Sequence, residues 1–325
     1  MVPYDIAPEY NPVVCLPDGL ELRASVEPDG PLLDSFFAEY DRAFVLPNEK
    51  EEIEGFRECL ALNLPPAYES LAARHGPFRE FVAVAVENSE GSETLVGGAS
   101  LICYPLRSET GSPVLAMNLN YLFVLPKQRR RGNLGRILHA CGLLARRAFL
   151  PQGDAPTLDI IPLLIFMELN DPLKLDPTEY VLDTTHSGVD QLKRIGIWAK
   201  AGARIIDFPY IQPALSLAQA PERNLLLAVW GTTETELSAC LLRDHMATFF
   251  AISVLKGGDL SQSPDAQEQL NLLDNICQSG TRLALMDPTP YLTSQAGKSV
   301  CEATRSLRDI LRRNPPTPHQ VQRTK

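Results

Sequence analysis

The chain predicts a mixed α/β (α+β) fold, a mostly antiparallel sheet flanked by helices. Three observations lead there. Phe78–Glu87 and Thr94–Tyr104 are rich in β-branched and aromatic residues and flank the polar turn Asn88-Ser89-Glu90-Gly91, a hairpin pattern. Leu134, Ile137, Leu138, Cys141, Leu144, Ala145 and Ala148 then switch to the spacing of one helical stripe. Beyond them the apolar run Ile160–Leu169 reads as a buried strand, and helix and strand patterns follow it in turn.

Taken in order, Glu21–Val26 alternates like a strand. Pro31–Val45 and Glu49–Leu62 have helical spacing, carried in the first by Leu32, Leu33, Phe36, Phe37, Tyr40 and Phe44, and Ala67–His75 is a third short helix. Glu49–Glu54 reads as a solvated helix face. After the hairpin, Leu115–Val124 is a strand ended by Leu125-Pro126. Arg146 and Arg147 lie in the last turns of the helix from Leu134, where cations suit the dipole. Asn170–Asp183 is a proline- and acid-rich loop, Val189–Ala201 a helix closed by Gly202, and Arg204–Phe208 and Asn224–Trp230 are strands. Glu234–Leu255 and Pro264–Cys277 are helical. Residues 1–231 therefore form the α/β domain, 232–300 a mainly helical extension or cap, and 301–325 a basic tail with a frayed end.

Composition bounds the function. With 325 residues, 45% hydrophobic and 22% charged, there is ample material for a core, and wholesale disorder is excluded. The net charge is −10, and residues 301–325 hold six bases against two acids, leaving 24 bases against 38 acids in the first 300. So acidic a body argues against nucleic acid as a partner, because phosphate contacts supply most non-specific affinity. The apolar stretches are too short to span a bilayer, and the start has no signal-peptide pattern. Seven scattered cysteines with no CxxC read as reduced thiols of a cytoplasmic protein. The five histidines lack ligand spacing to cysteines or acids, so no metal is expected.

One loop carries a strong signal. Between the strand ending at Val124 and the helix from Leu134 runs Lys127-Gln128-Arg129-Arg130-Arg131-Gly132-Asn133-Leu134-Gly135-Arg136. A helix start presents unpaired N–H groups and the positive end of the dipole to an anion. Glycine lets the backbone approach closely, and Arg129, Arg130, Arg131 and Arg136 supply charge and forked donors. A diphosphate suits this chemistry, and the other phosphate motifs, GxxxxGK[ST] and GxGxxG, are absent.

The run from Val124 to Leu138 resembles the acyl-CoA-binding segment of the GNAT superfamily of N-acyltransferases, Arg/Gln-x-x-Gly-x-Gly/Ala at the start of the central helix. Set without gaps, Arg130 falls on the family's Arg, Asn133 on its first Gly and Gly135 on its second. Gly132 is the alternative first glycine, displaced by one inserted residue. Gly196-Ile197-Trp198-Ala199-Lys200-Ala201-Gly202-Ala203 is similar to the family's later Tyr-x-x-x-Gly-Phe, with Trp198 in the Tyr place. The resemblance implies a GNAT-like sheet with a splayed strand. It implies acetyl-CoA or another acyl-CoA as co-substrate, and pantetheine held by the backbone N–H groups of about Leu122, Phe123 and Val124, with the diphosphate on Arg129 to Arg136. The acceptor it implies is a primary amine, small or part of a larger molecule.

The chemistry needs a neutral amine and a polarised thioester. The family's base position on the strand, four residues before Val124, is Asn120, which cannot take a proton. Glu168, ending an otherwise apolar strand beside the expected splay, is the substitute; the alternative is a strand-end Glu facing water. Tyr210 is the stand-in for the missing tyrosine acid, or else a packing tyrosine. Asn120 and Trp198 favour the rival expectation, a non-catalytic CoA-binding or interaction module. The acids from Glu168 to Asp190 would form a rim preferring cationic amines.

Overall fold

Alternating apolar residues give the strands two faces, and each face collects its own helices. The computed structural model describes residues 10–47, 49–89, 92–149, 161–216, 218–294 and 305–313. Its strands are Val13–Cys15 (β1), Leu20–Ser25 (β2), Arg79–Ser89 (β3), Ser92–Arg107 (β4), Pro113–Val124 (β5), Leu163–Asn170 (β6), Arg204–Ile206 (β7), Leu225–Trp230 (β8), Glu236–Ser238 (β9) and Arg282–Met286 (β10). They lie in one sheet in the order β1-β2-β3-β4-β5-β6-β8-β7-β10-β9. The β5–β6 pair is parallel and the other pairs are antiparallel.

The helices are Pro31–Ala43 (α1), Ile53–Ala61 (α2), Ala67–His75 (α3), Asn133–Phe149 (α4), Pro177–Ser187 (α5), Gln191–Ala201 (α6), Ala239–Phe249 (α7), Pro264–Gln278 (α8), Thr289–Ser294 (α9) and Leu307–Arg313 (α10). The apolar stripe of α4, with Ile137, Leu138, Cys141, Leu144 and Ala145 all buried, packs on Leu22, Leu101, Met117 and Ile165. On the opposite face, α7 and α8 cover Ile102, Tyr104, Leu164 and Phe166. There α1 and α2 cover Val82, Val84 and Phe123. Each large apolar side chain withdrawn from water contributes about 1.5–3 kcal/mol, which fixes both layers.

The sheet opens at one place. β5 pairs with β6 only from Leu115↔Leu163 to Asn118↔Phe166. Beyond that point β5 continues with β4 to Val124, while β6 continues with β8 to Asn170. Asn120 is an extra residue in the β4–β5 ladder, between Leu101↔Leu119 and Ser100↔Tyr121. A bulge of this kind bends and twists its strand, and here it turns β5 away from β6.

Several expectations need correction. The helix expected from Glu49 starts at Ile53, so residues 49–52 are an irregular lead-in. The expected loop Asn170–Asp183 contains the start of α5, whose N-terminus is capped by Asp176 accepting from the Thr178 N–H, with Pro177 behind it. The stretch Glu234–Leu255 begins as β9, runs through α7 and ends in a π-helical turn, Phe250–Val254. The extension thus adds two strands to the sheet as well as helices. The tail is not wholly frayed: Leu307 and Leu311 are buried, and Asp171 accepts from Ser306 Oγ at 2.5 Å and from the Leu307 N–H at 3.0 Å. Residues 314–325, Cys301, the turn residues Glu90 and Gly91, and the Ile160 end of the predicted strand lie outside the described residues. Cys240 and Cys277 are not thiols but a disulfide, because α7 packed on α8 brings their Cα atoms to 4.9 Å. Cys15, Cys59, Cys103 and Cys141 are free, the last two buried.

Candidate active site

The opening between β5 and β6 continues into a cleft of about 2380 Å³ that reaches the loop before α4. Its walls include Leu122 and Val124 from β5, Glu168 and Asn170 from β6, Arg129, Arg130, Gly132, Asn133, Leu134 and Gly135 from the loop and helix start, and Trp198 from α6.

On the β5 wall the backbone supplies the polar groups. The Leu125 N–H donates to the Val96 carbonyl at 2.9 Å, toward β4. Polar groups of alternate residues in an antiparallel strand point the same way. The N–H of Phe123 therefore also faces β4, and those of Leu122 and Val124 face the opening, where β6 has withdrawn. Of the three residues expected to present N–H groups, Phe123 is the one turned away.

At the far end the chain makes a tight basic turn. Pro126–Gln128 form a 3₁₀ turn, Arg130 sits at φ 62° and Gly132 at φ 77°. Only glycine takes the second of these without strain. Asn133 is helical, with its Nδ2 on the Gln128 carbonyl at 2.9 Å and its Oδ1 accepting from Arg136. Gly132, not Asn133, is thus the turn glycine before the helix. The Arg136 N–H already bonds the Gly132 carbonyl, which leaves the N–H groups of Asn133, Leu134 and Gly135 as the open donors of α4. Gly135 is exposed, and a Cβ built on it would meet no atom within 4 Å.

The four arginines divide. Arg130 is exposed and lines the cleft. Arg129 also lines it, but its guanidinium is engaged, Nε on the Val124 carbonyl at 3.0 Å and Nη1 on the Ser187 carbonyl, tying β5 to the α5–α6 turn. Arg131 and Arg136 are not among the lining residues. Arg131 reaches Gln128 Oε1, and Arg136 pairs with Asp18 at 2.8 Å and with Glu87. Arg136 is drawn off by acids of β3 and of the turn before β2, which the local sequence does not reveal.

At the inner end Glu168 is half-buried on β6. The Tyr210 hydroxyl donates to Oε1 at 2.8 Å and Asn118 Nδ2 to Oε2 at 3.3 Å; the same Nδ2 reaches Asn120 Oδ1 at 3.0 Å. Burial pushes the Glu168 carboxyl above its ordinary value, and the two donors oppose part of that rise. Burial and the adjacent carboxylate raise the Tyr210 phenol well above its usual range. Sequence reasoning singled out Glu168 and Tyr210, and the fold joins them. Tyr210 does not line the cleft, however, and its proton is held by Glu168, so it has no access to a leaving group.

Glu49 was not expected here. The lead-in to α2 passes the opening between β5 and β6, where Glu51 is buried and Glu49 lines the cleft at its inner end, while Glu52 faces water as expected. Turned so that Nδ2 faces the carboxylate, Asn170 donates to both its oxygens, at 2.7 and 3.0 Å. Its neighbour Glu51, 7% exposed, pairs with Lys256 at 2.9 Å. A glutamate-rich stretch opening behind Pro47 carries no local sign of this inversion. Of the acids expected as a rim, Glu168, Asp176, Asp183 and Asp190 line the cleft; Asp176 and Asp190 also cap helices and Asp183 pairs with Arg194 at 2.7 Å, while Asp171, outside the lining, holds the start of α10.

Among the described residues no helix is long and apolar enough to cross a membrane, and no group of three or more His, Cys, Asp or Glu could hold a metal.

No protein-family model matches the chain, and no curated protein matches it. Among solved structures it is similar to an acetyltransferase of the GNAT family from Desulfovibrio desulfuricans, at 16% identity over 65% of this chain and 98% of that one, with a TM-score of 0.34. It is similar to Arabidopsis thaliana Naa50 in complex with a bisubstrate analogue, at 15% identity over 66% of this chain and 99% of that one, TM-score 0.31. A chain of the NatC complex bound to Gag peptide and CoA follows at 13% identity over 69% of this chain and 99% of that one, TM-score 0.32.

Proposed function

We propose that the protein transfers an acyl group, acetyl in the simplest case, from acyl-CoA to a primary amine. The observation that carries this reading is the parting of β5 from β6 directly beside the basic helix start, with the Glu168 carboxyl on its inner wall. The Leu122 and Val124 N–H groups would hold the pantetheine arm and the thioester carbonyl, which lie along β5. The open N–H groups of Asn133, Leu134 and Gly135, with Arg130 beside them, would hold the diphosphate.

Glu168 then acts as the base. It takes a proton from the substrate ammonium, the neutral amine's lone pair bonds to the thioester carbon, and the tetrahedral intermediate collapses with the carbon–sulfur bond breaking and its electron pair leaving on sulfur, while the second nitrogen proton passes to that thiolate or to water. A thiolate leaves without a dedicated acid, which suits a site where Tyr210 is engaged with Glu168 as a positioning residue. A carboxylate on the inner wall, at a position that compensates for Asn120, favours the enzyme over the non-catalytic module.

The test is calorimetric titration with CoA together with thiol release from acetyl-CoA in the presence of amines. Arg130→Ala should weaken CoA binding by about 1.5–3 kcal/mol, the value of a charge-assisted contact, with the melting temperature kept. Absence of CoA binding in the wild type, or equal affinity in Arg130→Ala, would overturn the reading.

A further inference from the structure

The cleft does not end at Glu168. A second cavity of about 110 Å³ lies beyond it and shares Glu49, Asn120, Tyr121, Glu168 and Asn170 with the cleft. Its other walls come from Phe44, from α2 and its lead-in, from β4 and β8, from the segment after β7, and from Phe249, Ser253 and Val254 at the end of α7 and in the π-helical turn. It therefore sits on the sheet face opposite α4, and the helical extension closes it. Departures from α-helix of this type are frequent at functional sites.

Two properties of this cavity constrain what fits. The first is size. An apolar cavity of about 150 Å³ takes a benzene molecule, so this one takes a chain of a few carbon atoms. The second is charge. Glu51 is neutralised by Lys256, but among the described residues neither Glu49 nor Glu168 has an ion-pair partner within 4.0 Å. The Glu49 partner is the neutral Asn170 amide; burial first, then the nearby Glu222 and Asp183 carboxylates, push its carboxyl up to about 8 against the opposing pull of Arg194, so a cation seated on it is what would ionise it at neutral pH. Asn170 and Glu168 share one face of β6 two residues apart, roughly 7 Å along the strand, and Glu49 lies one hydrogen bond from Asn170. A molecule with cations at both ends of a short apolar chain matches this pair of carboxylates.

We infer that the acceptor is a short aliphatic diamine seated in the inner cavity, with its reacting nitrogen at Glu168 and its second ammonium on the Glu49 carboxylate. The inference rests on the acyltransfer reading. Glu49 is then the specificity-determining residue and Glu168 the base. Phe249 and Val254 limit the length of the chain, which gives the extension a place in substrate choice.

The test uses the full chain and acetyl-CoA, with thiol release measured for three amines of matched length: 1,4-diaminobutane, butylamine and 4-aminobutanoate. The diamine should exceed butylamine at least tenfold in kcat/KM, and 4-aminobutanoate should be the poorest of the three. Glu49→Gln should raise KM for the diamine about tenfold, leave kcat within a few-fold, and bring the diamine level with butylamine. CoA affinity and melting temperature of the variant, measured alongside, should match the wild type. CoA binding with equal use of diamine and butylamine, or with no turnover of the diamine, overturns the inference and leaves the CoA site standing. A folded Glu49→Gln that keeps the full preference for the diamine also overturns it. Failure to bind CoA at all removes the acyltransfer reading and the inference with it.

Discussion

Replacing Gly135 with alanine separates what this residue does for the fold from what it does for the site. The residue is the third of α4, outside the left-handed region, and an added Cβ would meet nothing within 4 Å. Stability should therefore rise. Alanine is better than glycine by about 0.5–1 kcal/mol within a helix, less so in a first turn, so a gain near 0.5 kcal/mol is expected. In a chain of this length that is about a 1 °C rise in melting temperature. Binding should move the other way. The methyl group would project into the space over the open N–H groups of Asn133, Leu134 and Gly135 and hold a diphosphate out of hydrogen-bond range. Losing one charge-assisted contact costs about 1.5–3 kcal/mol, or roughly 10- to 150-fold in affinity. Thermal melts without ligand and calorimetry with CoA measure the two effects on one sample. Gly132→Ala is the contrast: at φ 77° the fold itself loses of order 1 kcal/mol, so its binding defect would be ambiguous. A Gly135→Ala protein that is more stable and binds CoA as tightly as the wild type would show that no phosphate rests on this helix start.

Two further outcomes follow from buried carboxylates. Glu168 must be ionised to act as base, and burial raises its pKa, so kcat/KM should fall as pH drops through that raised value. Tyr210→Phe removes a donor that stabilises the ionised form and should shift this acid limb to higher pH with CoA affinity unchanged; an unmoved limb would refute the positioning role. Glu80, 2% exposed and hydrogen-bonded by Ser253, is pushed up to about 8 by burial. Its folded-state pKa lies above its unfolded value, so between about 4.5 and 8 the unfolded chain binds fewer protons and stability declines as pH rises. Melting curves across that window should show the decline; Glu49, also pushed up to about 8 by burial, contributes to it, so Glu80→Gln should make it shallower without abolishing it, and an unchanged slope would refute the Glu80 share.

Much of this protein is written locally. The period of the α4 stripe, the hairpin residues of β3 and β4, and a basic, glycine-containing turn ahead of a helix are readable because neighbours in sequence decide them. Even the start of α5, passed over as loop, carried its signal in the Asp176-Pro177 cap. The chemistry of the inner site is different. Glu168 and Tyr210 lie 42 residues apart and meet because β6, β8 and β7 take a particular register, and Arg136 is lost to the cleft because it meets Asp18, 118 residues away. Glu49 and Glu51 read as solvated because a run of glutamates is at home in water. What draws them in is tertiary: Asn170 of β6 holds Glu49, and the extension supplies Lys256 for Glu51 and Phe249 and Val254 for the cavity wall. Sequence periodicity decides which face of an element seeks the core. Which polar groups are then trapped together depends on long-range register and layer packing, and only the assembled sheet fixes those.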